Sequence, residues 1–299
     1  MARQRNDFDP HLRSLLDANT RVDFQSYIAD SRARRDRQRG EESLSAWRAE
    51  GSPRRPFGSI FGVGAALPIS DPFAAAPATF PYASMSALGE GFLDVLDEVN
   101  RRIQAESLTI VYEEMEKFFK AAGALLYWRH RKPSDDSWPI NARFKVGSVL
   151  RRRIKGTPQY YADYVKWLTH RNCKDLLRVF EDHLHGFNDT ARTNPRGQDL
   201  LDAFKALEFC RHTTVHAAGR IDEDELRRLP PSARDIVEQT RNTSTISGES
   251  KVLPDRPLTG ELLYWMADLG YVLYRLASDD CRMAIGFSPA DGWAETATV

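Results

Sequence analysis

The sequence predicts an all-α fold, a helical bundle in the C-terminal two-thirds of the chain behind a poorly ordered N-terminal region. Two patterns point there. From about residue 86 onward, apolar residues recur at three- and four-residue intervals in several long runs. Before that point the chain is dense in charge and then in Gly and Pro, with apolar residues enough only for a short helix or two. With 299 residues the chain is long enough to bury a substantial core. Only 41% of the residues are hydrophobic, however, and the mean hydropathy is -0.51. One helical body with a weakly folded appendage therefore suits the composition better than two full domains. The expected division is a charged N-terminal region and Gly/Pro/Ala-rich linker over 1–85, a helical domain over 86–280 and a tail over 281–299.

The first 55 residues are dense in charge, with Arg32, Arg34, Arg35, Asp36, Arg37 and Arg39 at their centre. Leu15, Leu16, Phe24, Tyr27 and Ile28 suffice for a short helix or two that bury little. From Gly51 to Tyr82, Gly58, Gly62 and Gly64 give way to Pro68, Pro72, Pro77 and Pro81. Missing backbone donors and costly ordering entropy argue against any regular element there.

Phe92, Val95, Leu96, Val99 and Ile103 then mark the first long amphipathic helix. Leu108 to Leu126 continue the pattern as a second helix or as an extension of the first. Between Arg129 and Lys155 the periodicity fails at Pro133 and Pro139 and the charge turns one-sided. Arg151, Arg152, Arg153 and Lys155 are the candidate contacts for phosphates, against the alternative of a solvated connection. A helix is expected after Thr157-Pro158, a cap followed by a first-turn proline, running to about Leu184. His183 and His185 near its end lack an obvious ligand set and favour the negative end of the helix dipole.

A fourth helix is expected from Asp199 to about Ala217, with Leu200, Ala203, Phe204, Leu207 and Cys210 as its stripe and Gly219 as its stop. Asp222 and Glu225 have capping-box spacing for a short helix ending at Pro230-Pro231. Residues 243–252 read as an irregular loop or small hairpin. The last helix, roughly Thr259 to Ala277, carries Leu262, Met266, Leu269, Leu273 and Leu276. Helices that each have one apolar face satisfy one another as a bundle, and the tail beyond Cys281 is expected to fray.

Formal charge is zero, from 42 basic and 42 acidic residues, which excludes a cationic field over the whole chain. Nucleic-acid binding would have to rest on a local patch. Cys173, Cys210 and Cys281 are odd in number and widely spaced, unlike a disulfide scaffold or a Cys-rich zinc module. The opening Met1-Ala2-Arg3-Gln4-Arg5 is not of signal-peptide type, and no stretch approaches the roughly 20 apolar residues of a membrane span. A cytoplasmic location with no membrane partner is the expectation.

Chemistry concentrates in Phe209-Cys210-Arg211-His212-Thr213-Thr214-Val215-His216-Ala217-Ala218-Gly219-Arg220-Ile221-Asp222. At about 100° per residue, Arg211 projects from the middle of the apolar stripe, within about 20° of Leu200, and His216 leaves the helix about 140° away from it. A charge there needs a partner or an interface. One reading gives Arg211 a buried carboxylate partner such as Glu113, Glu114 or Glu116. Another makes His212 and His216, four apart, a metal pair, but no Glu follows the first His and no third ligand is evident. No metal and no cofactor are expected.

Arg211, four intervening residues and His216, followed by Ala-Ala-Gly-Arg-Ile-Asp, resemble the Arg-x4-6-His signature of HEPN-domain proteins, especially bacterial ones with a Gly-x-Ile-Asp-like turn after it. The resemblance spans about residues 86 to 280. It implies a HEPN-like helical bundle that often forms a homodimer and, in active members, cuts RNA without metal. Arg211 and His216 fall on the family's defining Arg and His, and His212 takes the polar position after the Arg. The implied function is a metal-independent endoribonuclease that leaves a 2′,3′-cyclic phosphate, acting in bacterial defence or as a toxin-like effector with an antitoxin or other protein partner. A non-catalytic helical module that binds RNA or protein is the alternative.

Overall fold

Phe8, Leu12, Leu15, Ala18 and Val22 follow one another at helical spacing, and none is more than 4% exposed. The computed structural model, which describes residues 6–49, 66–69, 78–81, 90–130, 157–168, 173–289 and 292–293, makes the last four the inner face of a 41-residue helix, α1 (Asp9–Ala49), with Phe8 in the turn just before it. This corrects the expectation of a poorly ordered N-terminal region for residues 9–49. The apolar count misled because much of the contact is polar: Asn100 donates to Asp30 at 3.0 Å, and Ser26 donates to Gln104. Such pairs anchor a helix without contributing to hydrophobic periodicity. Phe24 and Tyr27, two of the five apolar residues that suggest a helix here, face outward at 62% and 59% exposure.

Two short strands, β1 (Ala66–Ile69) and β2 (Ala78–Pro81), pair antiparallel with Leu67 opposite Phe80. No regular element was expected between Gly51 and Tyr82. A two-stranded ribbon accommodates Pro68 and Pro81 because each of its strands is an edge, where a missing donor is tolerated.

The spine of the fold is α2 (Glu90–Arg129), one 40-residue helix that joins the two expected apolar runs. α1, α3 (Pro158–Leu168), α6 (Leu200–His216) and α9 (Arg256–Asp280) all pack on it. Leu108, Val111, Met115, Phe119, Ala122 and Leu126 supply its buried stripe, and Phe119 meets both Phe180 and Phe204 at ring-centroid distances of 5.9 and 5.1 Å. The helix expected over 158–184 is instead two, α3 and α4 (Lys174–His183), with Cys173 buried at the start of the second. Thr157 starts α3 as expected, its Oγ1 accepting from the Tyr160 N–H at 3.3 Å.

After α5 (Phe187–Arg192), Asp199 caps α6 by accepting from the N–H groups of Leu201 and Asp202, both at 3.0 Å. Asp222 caps α7 (Glu223–Arg227) in the same way, and Pro231 opens α8 (Pro231–Thr240). The region read as loop or hairpin is a hairpin that starts two residues earlier, with β3 (Arg241–Thr243) paired antiparallel with β4 (Ser250–Val252). β5 (Phe287–Ser288) pairs with β6 (Gly292–Trp293).

Fraying beyond Cys281 is also corrected, through residue 289. Met283 is buried, and the Tyr274 hydroxyl accepts from the N–H groups of Gly286 and Phe287 at 2.8 and 3.2 Å. The same hydroxyl donates to Asp9 at 2.6 Å, while Asn6 donates to Ser278 and to the Ala284 carbonyl, each at 2.8 Å. Both ends of the described chain therefore close on the last turns of α9. No described helix is long and apolar enough to cross a membrane.

Candidate functional site

α6 runs beside α2, and its packing fixes which side chains remain outside. Phe204 stacks on Tyr112 of α2 with ring centroids 5.4 Å apart. Leu200, Ala203, Leu207 and Cys210 fill the rest of the buried stripe. One turn beyond Leu207, Arg211 emerges from the same stripe, half-buried, with its guanidinium carbon 5.8 Å from the centre of the Tyr112 ring. That contact has the geometry of a cation on an aromatic face.

Arg211 does not make the carboxylate pair considered for it. Glu114 is taken by Lys117 at 2.7 Å and Glu116 by Lys120 at 2.8 Å. Among the described residues Arg211 has no ion pair, and its Nε is buried without a hydrogen-bond partner. Tyr112 donates to Glu208, one turn before Arg211 on α6, at 3.5 Å. Burial drives the Tyr112 phenol far above its ordinary range, Glu208 and nearby Cys173 add to the effect, and Arg211 opposes it. Tyr112 and Glu208 were not among the sequence candidates. The i, i+3 spacing of Glu208 and Arg211 was a signal for the second of them, but nothing local to Tyr112 points to α6.

His212 and His216 lie on a different face. Both are exposed, and their rings come within 4.8 Å, centroid to centroid, at an interplanar angle of 49°. The i, i+4 relation brings them together. It does not bring them to Arg211, which points toward α2. The expected angular divergence between Arg211 and His216 is thus expressed in their surroundings, one guanidinium against an aromatic ring and two imidazoles in solvent.

The segment after His216 is held in place. The N–H groups of Ala217 and Gly219 both donate to the Thr213 carbonyl at 3.0 Å, ending α6 over Ala218 and Gly219, whose φ angles are 50° and 84°. Glycine tolerates such a backbone freely, whereas alanine is strained by it. The Val252 N–H then donates to the Gly219 carbonyl at 2.8 Å and the Ile221 N–H to the Ser250 carbonyl at 3.2 Å, so the Gly-Arg-Ile-Asp turn docks on β4. Glu98 of α2 secures the β3–β4 connection from the other side. It accepts from Arg102, from the Ser244 hydroxyl at 2.8 Å and from the Ile246 N–H at 3.1 Å. The histidine pair sits on a scaffold braced by α2 and the hairpin.

Arg151, Arg152, Arg153 and Lys155, the expected RNA contacts, lie outside the described residues. His183 closes α4 and His185 is exposed. All three thiols are free: Cys173 and Cys210 are buried, and burial pushes the Cys210 thiol up to about 12 despite its contact with Thr240. Neither is a reactive nucleophile in that state. No protein-family model, curated protein or solved structure matches the chain.

Proposed function

We propose that the protein is a metal-independent endoribonuclease of HEPN type, with Arg211, His216 and His212 as its catalytic residues. The observation that carries the reading is the exposed His212–His216 pair on α6, within about one and a half turns of a guanidinium that has no carboxylate partner among the described residues.

In the proposed reaction the RNA 2′-oxygen bonds to phosphorus while the bond from phosphorus to the 5′-oxygen breaks. One imidazole takes the 2′-hydroxyl proton and the other delivers a proton to the departing 5′-oxygen. His216 and His212 are close enough to share one phosphodiester, and general acid–base transfer of this kind is worth about 10²–10⁴ in rate. Arg211 supplies a planar fork of donors to the phosphate oxygens as negative charge builds. The products are a 2′,3′-cyclic phosphate and a 5′-hydroxyl. Arg151, Arg152, Arg153 and Lys155 would guide the strand electrostatically.

Because Arg211 turns toward Tyr112, a symmetric homodimer is the simplest assembly that places a guanidinium from one copy by the histidines of the other. The same divergence favours a second reading, a non-catalytic module that binds RNA or a protein partner.

The test is incubation of purified protein with labelled RNA in EDTA, beside Arg211→Ala and His216→Ala variants of verified fold and oligomeric state. Cleavage that resists EDTA and disappears in both variants supports the nuclease. Tight RNA binding without cleavage, unchanged in His216→Ala, supports the binding module. Equal cleavage by all three proteins overturns the assignment.

A further inference from the structure

Three ligand-type side chains that the sequence keeps apart meet at the opposite end of α2 from the histidine pair. His130, in the turn that ends α2, places Nε2 2.5 Å from Oδ2 of Asp280, 150 positions later at the end of α9. Cys281, the next residue, brings its Sγ to the same spot, so that all three ligand atoms lie within 4.8 Å of one another. We propose that His130, Asp280 and Cys281 bind one zinc ion, which ties the C-terminal ends of α2 and α9 together.

The donor set selects the metal. A thiolate and an imidazole favour a borderline-soft divalent ion over magnesium or calcium, which take oxygen ligands. Zinc bonds are about 2.0–2.1 Å to nitrogen, about 2.0–2.2 Å to oxygen and about 2.3 Å to sulfur. A tetrahedral ion of that size separates its ligand atoms by roughly 3.3–3.6 Å. The His130 and Asp280 atoms must part by about 1 Å to admit it and the sulfur must close by about as much, movements within reach of side-chain rotation. Charge also balances, since a carboxylate and a thiolate offset the two charges of the ion. Binding releases the Cys281 thiol proton to solvent and takes the imidazole in its neutral form. Asp280 is exposed, so water can supply the fourth ligand.

The backbone under the ligands is already fixed. The Cys281 N–H donates to the Ala277 carbonyl at 3.0 Å, and the Met283 N–H donates to the Ser278 carbonyl at 2.8 Å across Arg282, whose φ is 55°. On the other side the His130 N–H continues the α2 ladder to the Leu126 carbonyl at 2.9 Å, beside the Arg129–Asp7 ion pair. A metal bound here would lock a junction where α1, α2 and α9 already meet. The site lies about 27 Å along α2 from Tyr112, at 1.5 Å per residue. It therefore stands apart from the proposed nuclease residues and does not depend on that reading.

The test uses the full chain, stripped of metal and titrated with cobalt(II), whose bond to a thiolate gives a sulfur-to-metal charge-transfer band in the near ultraviolet. One equivalent should develop the band and zinc should abolish it. Addition of zinc should also raise the melting temperature of the wild type. Cys281→Ser should lose the band, and His130→Gln and Asp280→Asn should shift half-saturation at least about tenfold, the low end of what even an outer-shell partner contributes. Cys173 and Cys210 are buried, so a band that persists in Cys281→Ser overturns the assignment, as does no band in the wild type. Should Cys281→Ser not fold, His130→Gln decides: cobalt affinity equal to wild type rejects the site.

Discussion

Arg211 and His216 share one helix yet meet different environments, the first 5.8 Å from the ring of Tyr112 and the second in solvent against His212. Under the proposed chemistry the two imidazoles have separable roles. His216→Asn should remove RNA cleavage by about 10²–10⁴-fold. His212→Asn, which retains a polar group, should cost less. Single-turnover cleavage of labelled RNA measures both, and equal losses would assign the histidines one shared role.

Arg211 contributes little to holding the fold. Its buried Nε has no hydrogen-bond partner among the described residues, and its ring contact with Tyr112 is worth about 0.5–1 kcal/mol at a partly exposed site. Urea unfolding of Arg211→Ala should fall within about 1 kcal/mol of wild type. Tyr112→Ala, by contrast, should cost about 3–5 kcal/mol by opening a cavity between α2 and α6. Lost activity in Arg211→Ala would then not be attributable to unfolding.

Glu98 links α2 to the hairpin in a pH-dependent way. Burial pushes its carboxyl up, but the hydrogen bonds from Arg102, Ser244 and the Ile246 N–H outweigh burial and hold it below the ordinary 4.5. A carboxyl depressed in the folded state contributes stability that is present above the unfolded value and lost as pH falls through the lower folded value. Glu98→Gln should therefore be less stable than wild type at neutral pH, with the gap closing as pH drops below 4.5. Thermal melts of both proteins across that range measure it. A gap independent of pH would show that the carboxylate charge is not what anchors the hairpin.

The N-terminal helix is an integral part of the core. Leu15 presses on Gly270 of α9, where an added Cβ would come within 2.5 Å of the leucine Cδ2. Leu15→Ala should cost about 2–5 kcal/mol. Phe24→Ala, at a position 62% exposed, should stay within about 0.5 kcal/mol. Denaturant midpoints compare them, and matching losses would mean that α1 is covered on its outer face in solution.

Local signals placed α6 and α9 well. Asp199 caps one where a capping residue meets an apolar stripe, and Gly219 turns left-handed just beyond its end. The break between α3 and α4 was not legible, because the aromatic and leucine pattern reads through it. The candidate triad in Arg211 to His216 was legible as a motif, and the roughly 140° divergence followed from helix geometry. Tyr112 entered the site through packing, whereas Glu208 was signalled only by its i, i+3 spacing from Arg211.

The sequence by itself determined the helical class, the starts of α3 and α7, both ends of α6 and the angular relation of Arg211 to its histidines, since each depends on residues within a few turns of one another. The tertiary structure decided that α1 belongs to the core, that Arg211 faces Tyr112 without a carboxylate partner among the described residues, and that His130 meets Asp280 and Cys281. Those outcomes join residues 70 or more positions apart, and such contacts are set by how completed helices pack, which local spacing does not encode.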